Sequence, residues 1–271
     1  IETRGLAPVR LPNNLPGRFM LPRIVQFTDF TDWSAASALM APLYDQASVL
    51  EADSPLKARI EEIRAAQPTA AGRAAAALRL VQDEVRYLAL SMGEGGYVPT
   101  AADEVWRSRY GDCKGKTVLL LALLHGLGIE AEAVLVSTEN GDGLPDRLPA
   151  MVWFDHVLVR AVIDGKTYWM DGASVGDRTL EDLTPPAYHW GLPVRPQNAA
   201  FEPIVQPPLT SPSFETSTTL DASAGLDADA PFVMDLAYFG ASALQMRRQM
   251  SAVTREQLQT AMTASMKEKK E

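Results

Sequence analysis

Arg109-Tyr110-Gly111-Asp112-Cys113-Lys114-Gly115-Lys116-Thr117, followed by Val118-Leu119-Leu120-Leu121-Ala122-Leu123-Leu124, is the stretch on which the chain turns. A glycine-containing turn gives way there to an apolar run of good helix formers, which predicts a helix starting near Cys113. Cys113 is the only cysteine in 271 residues. At a helix N-terminus, unpaired N–H groups and the helix dipole favour an anion, so the position suits a thiolate. Lys114 and Lys116 add positive charge nearby. The chemistry this suggests is nucleophilic attack by sulfur. A lone cysteine also reads as a small buried hydrophobe with no chemical role.

His156 and Asp171 decide between the two. Met151 to Ile163 reads as one arm of a β-hairpin and Lys166 to Asp171 as the other, joined by Asp164-Gly165, a strong two-residue turn signal. Such a turn sets Ile163 opposite Lys166 and fixes the register of every other pair. His156 then faces Ala173 and Asp171 faces Leu158. That makes Asp171 the diagonal neighbour of His156 on the same sheet face, unless a bulge breaks the parity. A carboxylate would hold one imidazole nitrogen and leave the other for the Cys113 proton.

Cysteine, histidine and aspartate in that order, on helix, strand and strand, resemble the transglutaminase-like superfamily. The Arg109–Thr117 stretch, Phe154-Asp155-His156-Val157 and Tyr168-Trp169-Met170-Asp171 look like its bacterial branch, in which the core follows an N-terminal β-sandwich domain. Val81 to Tyr87 and Pro99 to Trp106 share that likeness, which runs over roughly residues 28–191. The resemblance implies a papain-like α+β core with Cys113 as nucleophile, His156 as general base and Asp171 as orienting carboxylate. It implies a thioester acyl-enzyme formed on a protein or peptide substrate, with hydrolysis favoured over transamidation. It also implies an extracytoplasmic, periplasmic setting. Gly172-Ala173 departs from the Pro-Thr that follows the aspartate in many relatives. The competing reading is a non-catalytic module that keeps the fold and uses the cleft to hold a peptide.

Something must hold the oxyanion, and the backbone N–H of Cys113 is the first donor to consider. Gln82 is a side-chain candidate, with Trp106 and Tyr110 behind it. His125 belongs about 18 Å from Cys113, at the far end of its helix, where it caps. His189, between Tyr188 and Trp190, reads as packing or as cleft lining. Asp112 reads as a local cap, and Asp155 as pointing to the sheet face opposite His156.

A net charge of −9 argues against nucleic-acid binding and against docking on anionic lipid. No apolar run approaches the ~18 residues of a membrane span. Gly111 to Thr117 mimics a phosphate-binding loop but has three residues between its glycines where four are needed. Asn140, Asp142 and Asp146 do not match a calcium-loop spacing. No cofactor and no metal are therefore expected. Oligomeric state is not legible.

The remaining signals set the frame. Residues 1–27, rich in proline and starting without methionine, read as a linker from an upstream domain of a processed or excised chain, with a short strand or edge contact at Ile24–Thr28. Residues 28–200 read as the catalytic domain and 201–271 as a C-terminal extension. Helices are expected from Trp33 to about Val49 with a kink or break at Pro42, from Ser54-Pro55 to Gln67, and from Thr69 to about Leu88. In the last, Leu78, Val81, Val85 and Leu88 form one buried stripe. Ser91–Thr100 is a glycine-rich loop, either lining the cleft or merely connecting. Ala101–Ser108 is a short helix and Ile129–Ser137 a strand. Beyond Gly172, dense prolines predict an irregular wrap and then a linker. Two strands, Phe214–Leu220 and Phe232–Tyr238, and helix from Ala241 to about Met266 close the chain, with a capping box at Thr254–Gln257.

Overall fold

The computed structural model describes residues 5, 10, 12, 15–19, 24–89, 96–181, 183–209, 212–225, 227–251 and 253–268. Half of the Ser91–Thr100 loop, including Gly93 and Gly95, lies outside them, as do Pro8 and Pro22. Five helices come first: α1 (Trp33–Ala47), α2 (Leu56–Ala66), α3 (Ala70–Glu84), α4 (Ala102–Ser108) and α5 (Cys113–Gly126). Two short strands, β1 (Arg86–Tyr87) and β2 (Tyr110–Gly111), pair in parallel between them. Then come β3 (Glu130–Val136), β4 (His156–Ile163), β5 (Lys166–Met170), β6 (His189–Pro193) and β7 (Glu202–Ile204). These form an antiparallel sheet in the order β5-β4-β3-β6-β7. Helices followed by an antiparallel sheet make this an α+β fold.

α5 is the axis. Val118 to Leu124 are all almost fully buried, so this helix is enclosed on every side, as its unbroken apolar run requires. α2, α3 and α4 contact one flank and β3 and β4 the other. Gly115 lets α4 come close, since a Cβ there would stand 2.9 Å from Val105 Cγ2. The glycines that imitate a phosphate loop thus serve helix packing. Thr117 Oγ1 donates to the carbonyl oxygen of Val157 at 3.3 Å, which ties α5 to β4 beside the site.

Several boundaries move. α1 is capped by Asp32, which accepts from Ala35 N–H at 2.8 Å, and it runs through Pro42 without a break. α2 is entered from Pro55, and the Ser54 hydroxyl donates to Asp103. α3 stops at Glu84, four residues before Leu88, because Arg86 N–H bonds Arg109 O at 2.9 Å and Leu88 N–H bonds Gly111 O at 3.1 Å. Tertiary pairing overrides the helical pattern there. Leu78, Val81 and Val85 are buried as expected, but Leu88 is 49% exposed. The first hairpin arm is not one strand. Met151–Trp153 form a 3-10 turn, and β4 begins only at His156. The prolines after Gly172 do not keep the chain out of the sheet. β6 and β7 join it, with Pro203 on the edge strand, where a missing N–H is harmless.

The N-terminal segment makes edge contacts rather than a strand. Gln26 Oε1 accepts from Leu148 N–H at 2.9 Å, and Arg18 pairs with Asp142 at 3.1 Å, which engages one of the acidic residues of the 138–149 loop. At the other end, β8 (Phe214–Leu220) and β9 (Phe232–Tyr238) form a separate hairpin, followed by α6 (Gly240–Ser251) and α7 (Arg255–Glu268). Thr254 and Gln257 bond each other reciprocally at the start of α7, as a capping box does.

Candidate active site

The hairpin register is the one the turn dictates. Ile163 pairs with Lys166 and Val159 with Met170, without a bulge between them. Asp164 and Gly165 both have positive φ, 51° and 77°, the signature of the type I′ turn that matches strand twist. Continued past Met170, this register puts the Asp171 carboxylate beside His156, and Asp171 Oδ2 lies 3.1 Å from His156 Nε2. Asp171 Oδ1 also accepts from Ala173 N–H at 2.9 Å, which fixes the carboxylate. The Gly172-Ala173 departure therefore leaves the carboxylate anchored by its own loop.

Cys113 is the first residue of α5, with Asp112 as N-cap accepting from Gly115 N–H at 2.9 Å. It lines one cavity with the His156 imidazole and interacts with it electrostatically. Nε2 being held by Asp171, Nδ1 is the nitrogen left for sulfur. Burial disfavours the imidazolium, but hydrogen bonds and charge from Asp171 and Cys113 outweigh it and push His156 up to about 10. The three residues are thus brought together: Asp171 bonds His156, and His156 shares a cavity with Cys113.

The cations expected to support the thiolate are engaged elsewhere. Lys114 pairs with Asp112. Lys116 is buried, and its Nζ donates to Val85 O at 2.6 Å, pinning the end of α3 to α5. Burial lowers Lys116 to about 8 against the opposing pull of Asp171 and Asp83.

None of the three side-chain oxyanion candidates lines the cavity that holds Cys113. Gln82 is buried, but its Nε2 donates to Asp171 O at 2.9 Å and to Asp177 Oδ2 at 2.7 Å, so both amide hydrogens are committed. Trp106 is packed in the core beneath the Arg109 guanidinium, 3.4 Å from its ring centroid. Tyr110 is exposed and lines a separate depression with Asp83, Glu84 and Arg86. His125 bonds Ala131 O at 2.9 Å, bracing α5 against β3. His189 is exposed at the start of β6, so it is not a packing residue. Asp155 precedes β4, so strand alternation does not govern it. It accepts from Thr138 N–H and hydroxyl at 2.8 and 2.9 Å and lines the same cavity as His156.

That cavity, of about 480 Å³, opens at Cys113 and His156. Sequence reasoning missed two tyrosines in its wall, Tyr44 and Tyr87. Tyr44 comes from α1 and nothing local to it signals the site. Tyr87 ends the Val81–Tyr87 segment already singled out by resemblance. Burial raises the pKa of both phenols, and the negative charge of Cys113 and Asp112 adds to it, so both stay protonated hydrogen-bond donors. Among the described residues no cluster of histidine, cysteine, aspartate and glutamate is placed to hold a metal ion.

No protein-family model matches the chain, and no curated protein matches it in sequence. Two solved structures are similar to it. One, from Parabacteroides distasonis and described as a "putative protease", is 16% identical with a TM-score of 0.51 over 73% of this chain and 39% of that one. The other, from Cytophaga hutchinsonii and described as a "putative cysteine protease", is 14% identical with a TM-score of 0.30 over 77% of this chain and 53% of that one. The chain spans well under two thirds of either protein's length. The first likeness supports the α+β fold alone, and the second is too distant in shape to add to it.

Proposed function

We propose that the chain performs thiol-dependent acyl chemistry on a protein or peptide, with hydrolysis favoured over transfer to an amine. The observation that carries this is His156 bonded to Asp171 at 3.1 Å on one nitrogen, with Cys113 lining the same cavity as the ring and raising its pKa. The motif resemblance to the bacterial transglutaminase-like branch supports the same assignment, and the described role of the Parabacteroides structure is in keeping with it.

In this reading His156 already holds the Cys113 proton, and the thiolate attacks an amide or ester carbonyl. An S–C bond forms, the C–N or C–O bond breaks, and His156 returns the proton to the leaving group. Water then attacks the thioester, giving a proton to His156, and the S–C bond breaks to release the acid and restore the thiolate–imidazolium pair. Asp171 keeps the imidazole oriented and stabilises its cation. First-turn N–H groups of a helix have no partner within the helix. That of Gly115 is taken by Asp112, and that of Cys113 is the donor nearest the developing oxyanion.

The test uses a mixed peptide library with and without a fluorescent primary amine. Wild type should release new termini in water, and Cys113→Ala should release none. Amine incorporation exceeding hydrolysis would shift the reading to transamidation. Equal turnover by Cys113→Ala would overturn it.

A further inference from the structure

The cavity beside Cys113 has a composition that bears on what it accepts. Its deeply buried part is made by Met40, Tyr44, Leu135 and Val157, all 4% exposed or less. Tyr87, Tyr97 and Val152 form the exposed rim. At about 480 Å³ it falls within the range of pockets that enclose small organic groups.

Charged residues also border it, and the basic ones have their partners inside the protein, while Asp155 has only neutral ones. Asp112 is held by Gly115 N–H and Lys114, and Asp155 by the backbone N–H and hydroxyl of Thr138. Lys114 is spent on Asp112, and His156 on Asp171 and Cys113. Among the described residues no cation in the wall is free, so an acidic side chain entering the cavity would lose water, gain no counter-charge and meet the Asp155 carboxylate. An apolar or aromatic group would cover the Met40, Leu135 and Val157 surface and gain by leaving water.

We infer that the cavity is the specificity pocket for the acyl donor and selects a bulky uncharged apolar or aromatic side chain on the residue whose carbonyl Cys113 attacks. This rests on the thiol-acyl reading and names the substrate class within it.

The test measures inactivation rates of wild type by N-acetyl aminoacyl chloromethyl ketones carrying Phe, Leu, Gln, Asp or Lys side chains. In each, the Cys113 thiolate displaces chloride from carbon. Iodoacetamide, too small to need the pocket, reports the nucleophile alone. Phe and Leu reagents should react at least about tenfold faster than the Asp reagent, a ratio typical of apolar pockets. Val152→Asp, at a position 75% exposed and so tolerant of change, should narrow the ratio of Phe to Lys rates. Equal rates across the series, or faster reaction of a charged reagent, would overturn this inference while a reactive Cys113 leaves the thiol-acyl reading standing. Absence of reaction with iodoacetamide would overturn both.

Discussion

Gln82 Nε2 lies 2.9 Å from the carbonyl oxygen of Asp171, so a residue of α3 holds the backbone of the carboxylate that bonds His156. The same amide group binds Asp177 through both of its ends: Nε2 to the carboxylate at 2.7 Å, and Oε1 from the backbone N–H at 3.1 Å. Gln82 is therefore a positioning residue for the 171–177 loop.

Gln82→Leu keeps the volume and removes three hydrogen bonds in a buried setting. It should destabilise the fold by about 1–3 kcal/mol, because the buried groups it satisfied lose a partner. Activity should fall together with stability. Urea unfolding and turnover measured on the same samples check this. Lost turnover with unchanged stability would instead mark Gln82 as an oxyanion donor.

Asp171→Asn keeps the shape but removes the charge that stabilises the imidazolium and offers an amide that favours the wrong tautomer. Turnover should drop by about 10²–10⁴-fold, the range for a disabled acid–base group. Thermal unfolding run beside the assay separates this from a folding defect. Near-normal turnover would remove Asp171 from the mechanism.

His156 is pushed up to about 10, since the pull of Asp171 and Cys113 exceeds the effect of burial. A group with a higher pKa folded than unfolded binds more protons in the folded state. Its stabilisation is full below about 6.5 and is lost as pH rises through about 10. The unfolding free energy of wild type relative to His156→Gln should therefore be largest near pH 6 and shrink towards pH 10, as read by urea unfolding. A gap that widens with pH contradicts the pairing.

Lys116 behaves in the opposite sense. Burial lowers it to about 8, so between about 8 and its unfolded value near 10.4 the unfolded chain holds the extra proton and stability rises with pH. Lys116→Met removes that rise. Relative to wild type, the variant should compare most favourably below pH 8 and lose ground towards pH 10. Parallel curves would mean that Lys116 is not held in a desolvated state.

Much of this arrangement was legible because it is local. The Asp164-Gly165 turn fixes the register that delivers Asp171 to His156, and two-residue turns leave little freedom. The start of α5 at Cys113 follows from the Asp112 cap and the apolar run behind it. What escaped depends on contacts between distant segments. The end of α3 is set by β1 pairing with β2, 24 residues along in register. β6 and β7 are recruited by the edge of β3 despite their prolines. The Gln82 amide is committed to Asp171 and Asp177, and no pattern around residue 82 announces residue 177. The wall of the cavity draws on α1, β3 and the turn before β4, elements that meet only in the fold.

The central claim is that Cys113 and His156 act as a coupled thiolate–imidazolium pair. Its most direct test is the rate of Cys113 alkylation by iodoacetamide as a function of pH, in wild type and in His156→Ala. With one cysteine in the chain, the signal has one source. The account predicts rapid alkylation persisting well below pH 8 in wild type, and a profile displaced to higher pH when the histidine is removed. Slow alkylation with the same pH profile in both proteins would contradict it, and would leave the cleft as a binding surface without a nucleophile.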